Sequence, residues 1–222
     1  MQMAELQGVI AQIALCYEFT GTYRLPSQYG PDRKFSESLP LTDMTRLGAF
    51  IDQATNLKGR RCASRALPYV LEGSASPMET ALGMLINLPF RLGGYNFEAP
   101  LLNYPLNRLL QFKDRLGDKP LRCDFLWPEY RLGMEYDSDA EHLGSAELAR
   151  DSARRNALTA AGLRVITVTR PQIMDTARLR KVAEELAELM GRRLRIPKDG
   201  FAARHAELRQ QVLPRLSADR EP

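Results

Sequence analysis

The chain has 222 residues, of which 44% are hydrophobic and 26% are charged, a balance typical of a globular protein that buries a core. This balance excludes a mostly disordered chain, a collagen-like chain and a coiled coil. No run approaches the roughly 18 apolar residues that a membrane helix needs, and no basic segment of a secretory signal precedes the first apolar residues. The three cysteines are widely spaced and form no CxxC pair. We therefore expect a cytoplasmic protein without a membrane partner.

Positive charge is concentrated towards the C-terminal end. The net charge is +4, from 31 basic and 27 acidic residues, which is too small to establish a nucleic-acid partner. Between residues 192 and 220, however, eight basic residues stand against three acidic ones. The segment 192–222 is therefore predicted to be a basic tail, either an arm that faces DNA or a solvated, helix-prone end.

Residues 1–75 are predicted to form an α+β extension. The aromatic and threonine-rich run CYEFTGTYRL at 16–25 predicts a strand. The run at 25–40, rich in proline and serine, predicts a loop. Two short helices are expected to follow, the first of them capped by Asp43.

The signals are clearer after the GSAS run at 73–76, which is the predicted domain boundary. The expected elements are a helix opened by Ser76 and Pro77, an edge strand at 101–106, a polar connection through 114–118, strands at 121–127 and 131–137 joined by a tight turn, a helix from Ser145 to Gly162, a strand at 163–169 and a helix from Asp175 to Gly191. A helix between two strands of one sheet usually joins parallel neighbours, so the last two strands are expected to be parallel.

Acidic residues are expected to share one face of the two strands that the tight turn joins. Side chains alternate along a strand, so Asp124 and Leu126 point in one direction and Cys123 in the other. By the same alternation Glu135 and Asp137 point in one direction. Antiparallel pairing then places Asp124 beside one of these two acids, where the charges repel unless a cation such as Mg²⁺ lies between them. The alternative is a solvated charge network with nearby arginines, namely Arg122, Arg131 or Arg154.

Several other polar residues have both a functional and a structural interpretation. His142 is either a general acid or base or a bystander on a polar loop. Glu79 either joins the carboxylates or only completes a capping box with Ser76. His205, in the basic tail, is expected at the surface.

The helix after Ser145 presents arginines to one side. Arg150 and Arg154 lie one turn apart on the same face. They are expected either to bind a phosphodiester beside the metal or to belong to a salt-bridged solvent face. In either case Asp151 and Arg155 are spaced to form an i,i+4 pair.

Taken in order, these motifs resemble those of a known superfamily of nucleases. They are SPMETALGMLINLP, RCDFLWPEYRLGMEYD, His142 and ARDSARRNALTAAGLRVITVT. The set, which covers 76–191, is similar to the PD-(D/E)XK nucleases, the restriction-endonuclease-like superfamily, and more narrowly to a bacterial branch related to very-short-patch-repair endonucleases. The resemblance implies an α/β, restriction-endonuclease-like core with a central mixed sheet flanked by helices. It also implies hydrolysis of DNA phosphodiester bonds with Mg²⁺, or with Mn²⁺ in its place.

The resemblance implies roles for individual residues. Asp124 matches the metal-binding aspartate, Glu135 the acidic residue of the (D/E)-x-K element, and Glu79 a first-helix glutamate. His142 and Asp151 match residues that help to activate or position water in the repair-endonuclease branch.

One position departs from the superfamily pattern, because Asp137 stands where the lysine is expected. The repair-endonuclease branch also lacks this lysine, and Arg154 could supply the charge instead. The expected mechanism is metal-assisted hydrolysis in which His142 assists proton transfer. Three acids are expected to hold one or two Mg²⁺, namely Asp124, Glu135 and Asp137. The phosphate is expected to be bound by arginines of one helix, namely Arg150, Arg154 and Arg155.

Two other functions compete with this one. A nuclease-inactive DNA-binding or regulatory protein that retains the nuclease fold would show salt-sensitive DNA binding without a metal-dependent product. A protein-interaction module with an acidic surface cluster would show neither DNA binding nor an effect of Mg²⁺ on stability. For residues 1–75, substrate recognition, formation of a homodimer and binding of a regulatory partner all stay open.

Overall fold

A computed structural model describes residues 8–25, 35–109, 112, 121–137 and 145–213, and for residues 145–151 it describes the backbone alone. The described helices and strands, in chain order, are α1 Val9–Thr20, β1 Tyr23–Arg24, β2 Ser36–Glu37, α2 Met44–Gln53, α3 Arg60–Ala66, α4 Pro77–Asn87, β3 Leu101–Leu102, β4 Phe125–Trp127, β5 Leu132–Asp137, α5 Ser145–Ala160, β6 Arg164–Thr169, α6 Arg170–Met174, α7 Thr176–Leu189 and α8 Phe201–Val212. The predicted connection at 114–118 and most of the predicted loop at 25–40 lie outside the described residues.

The chain divides into two compact units. Unit one comprises residues 1–99 and 196–222, and unit two comprises residues 100–195. Helix α4 belongs to unit one because it packs against α1 and α8. The boundaries of these units therefore differ from those of the predicted segments 1–75 and 76–191. That these two segments have different functions stays a prediction.

Helix α1 replaces the strand predicted at 16–25, and that prediction was wrong up to Thr20. Ile10, Ile13, Tyr17 and Thr20 follow one another at intervals of three or four residues, and all four are buried. This spacing places them on one face of a helix, which determines the conformation more strongly than the aromatic content of the run. After α1, the part of the predicted run that forms a strand is β1, which pairs antiparallel with β2.

Helices α2, α3 and α4 confirm the predicted positions. Asp43 caps α2, since its carboxylate accepts a hydrogen bond from the Arg46 N–H at 2.8 Å. Ser76 caps α4 in the same way, accepting from the Glu79 N–H at 3.1 Å. Both contacts satisfy N–H groups that have no partner inside the helix.

The described part of the basic tail contains helix α8, which confirms the predicted helix-prone character, although only one face of the helix is solvated. A role as an arm that faces DNA stays a prediction. Helix α8 buries Phe201, His205, Leu208 and Val212, which recur at helical spacing. His205 is only 2% exposed, which corrects its predicted surface position. Its Nδ1 atom lies 2.7 Å from the Gly93 carbonyl oxygen, and its ring packs on that of Phe201 at 5.3 Å. Burial lowers the pKa of His205, although the bond to Gly93 opposes this effect.

Unit two is built on a four-stranded mixed sheet in the order β3-β4-β5-β6. The first three strands are antiparallel, and β5 and β6 are parallel, as the intervening helix α5 predicts. Strand β3 lies at the edge, as predicted, but it is shorter than the predicted 101–106 because it ends at Leu102. The mixed α/β architecture is therefore as expected.

The sheet positions the candidate acids through the packing of β4. The apolar cluster under α5 contains Cys123 together with Leu126 and Leu158. Cys123 was predicted to face away from Leu126, and this was wrong because the chain bends at Asp124, just before β4 begins.

Among the described residues, no helix is both long and apolar enough to span a bilayer.

Candidate functional site

Asp124 and Glu135 lie beside each other on neighbouring antiparallel segments of unit two. The register pairs Phe125 with Met134, and one further step along both chains places Asp124 opposite Glu135. The Asp124 N–H donates a hydrogen bond to Glu135 Oε1 at 3.2 Å. The predicted proximity of these two acids is therefore confirmed.

The backbone holds both carboxylates in place. Asp124 Oδ2 accepts a hydrogen bond from the Tyr136 N–H at 2.8 Å, while Glu135 accepts one from the Asp124 N–H. Each carboxylate is thus bonded to the opposing segment of main chain. Both residues are buried, with exposed fractions of 8% for Asp124 and 9% for Glu135. These contacts restrict the orientation of the remaining carboxylate oxygens.

Those remaining oxygens converge on the guanidinium of Arg154. Its Nη2 atom lies 2.9 Å from Asp124 Oδ1 and 2.9 Å from Glu135 Oε2. Leu158, one turn later on α5, is buried in the apolar cluster, so the helix face that packs on the sheet also carries Arg154. The structure thus contains the arginine pairing that the sequence offered as an alternative to a metal ion.

Burial changes the protonation of this cluster. It raises the pKa of Glu135 to about 7, with a further increase from the charge of Asp124 and an opposing effect from Arg154. Burial also raises the pKa of Asp124, against the bond from Tyr136 and the charge of Arg154. For Arg154, burial acts to lower the pKa, but the two carboxylates raise it above its ordinary value. Burial therefore disfavours the charged form of both acids, and the charge of Arg154 offsets part of this effect.

The thiol of Cys123 also belongs to this environment, although no sequence motif indicates its position. Burial raises the pKa of Cys123 well above its ordinary range, and the nearby charge of Glu135 adds to the effect. Its Sγ atom lies 3.2 Å from the Phe125 carbonyl oxygen. Gly133 makes room for it, because a Cβ atom at that position would stand 2.6 Å from the sulfur.

Glu79 caps the beginning of α4, as the spacing predicted, although the main-chain donor is Ala75 and not Ser76. Its Oε2 atom accepts a hydrogen bond from the Ala75 N–H at 2.9 Å, and its Oε1 atom accepts one from the Ser76 hydroxyl at 3.0 Å. Glu79 belongs to unit one, whereas Asp124 and Glu135 belong to unit two. Its predicted catalytic role therefore stays a prediction.

Of the remaining candidate residues, the structure describes the side chains of two, Asp137 and Arg155. Asp137 is the last residue of β5, half-buried and paired in register with Thr169. Arg155 is exposed on α5. His142 lies outside the described residues, as do two side chains of α5, those of Arg150 and Asp151.

The donor chemistry of the cluster fits a hard divalent cation. Within the described residues, no group of three or more His, Cys, Asp or Glu side chains is arranged to hold a metal ion. Mg²⁺, however, usually keeps several waters and binds through one or two carboxylates together with substrate phosphates. Asp124 and Glu135 supply two such carboxylates, directed at a point that a cationic group already occupies.

Comparisons with known proteins give similarity without an assigned activity. No protein-family model matches the chain, and no solved structure matches it significantly. The curated relatives include uncharacterised proteins from two strains of Mycobacterium tuberculosis, each 29% identical over 124 residues. The match covers 54% of this chain but only 40% of each relative. This chain is therefore similar to part of a longer mycobacterial protein whose description names no function.

Proposed function

We propose that the chain is a Mg²⁺-dependent DNA endonuclease that hydrolyses phosphodiester bonds at the cluster of Asp124, Glu135 and Arg154. The observation that carries the proposal is the convergence of two buried carboxylates from neighbouring segments on one cationic position. Buried ionisable groups with shifted pKa values and a specific charge partner are typical of functional sites.

Stability alone does not account for this arrangement. The desolvation of a buried ion pair can cost as much as the attraction returns, so such pairs are weak evidence for a stabilising role. Here two acids lie side by side, and the single guanidinium that they share is partly exposed, with 42% of its side chain accessible. A site that binds a cation and an anionic substrate explains why both acids are present.

The residues of the cluster have distinct roles in the proposed reaction. Asp124 and Glu135 hold the cation, and Asp137 is a proposed third ligand. When bound, Mg²⁺ supplies a Lewis acid and lowers the pKa of a coordinated water. Arg154 binds the phosphate, since a guanidinium fork matches phosphate oxygens. His142 is the proposed proton carrier.

The decisive test is cleavage of supercoiled plasmid DNA with Mg²⁺, with Mn²⁺ and with EDTA. Removal of the cation should abolish nicking, and Glu135→Gln or Asp124→Asn should reduce it by about 100-fold or more, because each weakens cation binding. Glu129→Gln is the matched control, because Glu129 is exposed in the turn between the same strands. Undiminished nicking by Glu135→Gln, or in EDTA, would overturn the proposal.

A second candidate is a nuclease-inactive DNA-binding or regulatory protein that keeps the nuclease fold. The observation that favours it is the contact of Arg154 with both acids, which leaves the cationic position filled by the protein itself. This candidate predicts DNA binding that weakens steeply with salt and no metal-dependent product in the plasmid assay. A homodimer through residues 1–75 stays a separate prediction, to be checked by sedimentation.

A further inference from the structure

Arg154 uses only one end of its guanidinium to contact the acids. Within the described part of the chain, its polar contacts all run through Nη2, which reaches Asp124, Glu135 and, at 3.5 Å, the Arg122 carbonyl oxygen. Among the described residues, no hydrogen bond is formed by the other donors of the fork, on Nε and Nη1. Movement of Arg154 therefore breaks only the Nη2 contacts with this part of the chain.

The three side chains differ in their freedom to move. The side chain of Arg154 is 42% exposed, whereas those of Asp124 and Glu135 are 12% and 11% exposed. The two carboxylates are also bonded to main-chain N–H groups. A long arginine can keep its aliphatic stem packed while its charged end moves into solvent. If the contacts are rearranged, it is the arginine that moves.

The net charge of the cluster determines when displacement of the Arg154 guanidinium is favourable. With both acids ionised, Asp124, Glu135 and Arg154 carry one net negative charge between them. A divalent cation that binds to the same oxygens changes the sum to one net positive charge and repels the adjacent guanidinium. The cation and Arg154 therefore compete for the carboxylates, and the displaced guanidinium then needs an anion.

The geometry points to Arg154 as an exchangeable internal counter-ion. A divalent cation displaces its guanidinium from Asp124 and Glu135, and the released fork binds a phosphate group of the substrate. Cation and phosphodiester consequently bind cooperatively, each raising the affinity for the other by the same factor. This inference rests on the proposed function, because it takes the two carboxylates as the cation ligands.

The first test measures cation binding without any substrate. Mn²⁺ is titrated into the full chain at about pH 8, where protons compete least with the cation, and free Mn²⁺ is counted by its electron paramagnetic resonance signal. Arg154→Gln should bind Mn²⁺ about tenfold more tightly than the wild type, because the competing charge is gone. Arg178→Gln, which removes an exposed arginine of unit two, should bind Mn²⁺ like the wild type.

The outcomes separate the inference from the proposed function. Equal Mn²⁺ affinity of the wild type and Arg154→Gln, with binding lost in Glu135→Gln, would overturn the counter-ion role and leave the cation site standing. No Mn²⁺ binding by any variant would overturn both.

The second test needs only the wild-type protein and stays informative if Arg154→Gln does not fold. Binding of a fluorescent DNA duplex is followed by anisotropy with Ca²⁺ or EDTA at constant ionic strength. Ca²⁺ should raise the duplex affinity about fivefold or more, a coupling of ordinary size. Equal duplex affinity in the two conditions would overturn the inference.

Discussion

Replacing Glu135 by glutamine should change how the stability of unit two depends on pH. The pKa of Glu135 is raised from 4.5 to about 7, mainly by burial. The folded state therefore retains a proton that the unfolded state has released, and stability is lost as the pH rises from the unfolded towards the folded pKa. A pKa shift of this size lowers the free energy of unfolding by about 3 kcal/mol as the pH rises from about 4.5 to about 7.5. Glutamine carries no such proton and should not show this loss.

The assay is urea unfolding monitored by tryptophan fluorescence. Trp127 is the only tryptophan of the chain and lies at the end of β4, so its signal reports the unfolding of unit two. The free energy of unfolding of the wild type should fall relative to that of Glu135→Gln as the pH is raised from about 5 to about 8.

A control and a refuting result define the test. Glu129→Gln changes an exposed glutamate in the turn between β4 and β5, and its stability should follow that of the wild type at both pH values. Parallel curves for the wild type and Glu135→Gln would refute the reasoning, because they would mean that burial does not disfavour the charged form of Glu135.

Three further substitutions test other parts of the structure. Gly133→Ala should destabilise unit two by about 1–3 kcal/mol, since the added methyl group would stand 2.6 Å from Cys123 Sγ, and Cys123→Ala in the same chain should restore part of the loss in urea unfolding. Burial lowers the pKa of His205, so the neutral ring stabilises the fold above about pH 6.5, and this stabilisation is lost as the pH falls. His205→Phe should therefore reduce the fall in melting temperature that circular dichroism measures in acid. Ser76→Ala should cost about 1 kcal/mol of unfolding free energy, because it removes the cap of α4, and an unchanged denaturation midpoint would contradict that role.

The regular parts of unit two were predictable because their patterns are local. Alternation of side chains and a short turn between two strands determine which residues stand opposite each other, and this led from the sequence to the proximity of Asp124 and Glu135. Alternation failed at Cys123, where the chain bends before β4, because a bend leaves no periodic signal. The choice between a metal ion and Arg154 could not be made from the sequence either, since it depends on how α5 packs on the sheet.

The errors in unit one have a different physical origin. In α1 the strand-like composition around Tyr17 concealed a helical spacing of buried residues. In α8 the many charged residues concealed the stripe that begins at Phe201 and includes His205. In both helices the periodicity of the few apolar residues determined the structure, whereas average composition suggested a different one.

The division of the chain also constrains the order in which its parts can form during synthesis. Unit two is a continuous stretch, residues 100–195, so all of it has been synthesised before α8 leaves the ribosome. Unit one needs α8 against α1 and α4, and its apolar surfaces stay uncovered until the segment 201–212 has emerged. Nascent chains that end just before the segment 201–212 should therefore be the most prone to aggregation and to chaperone binding.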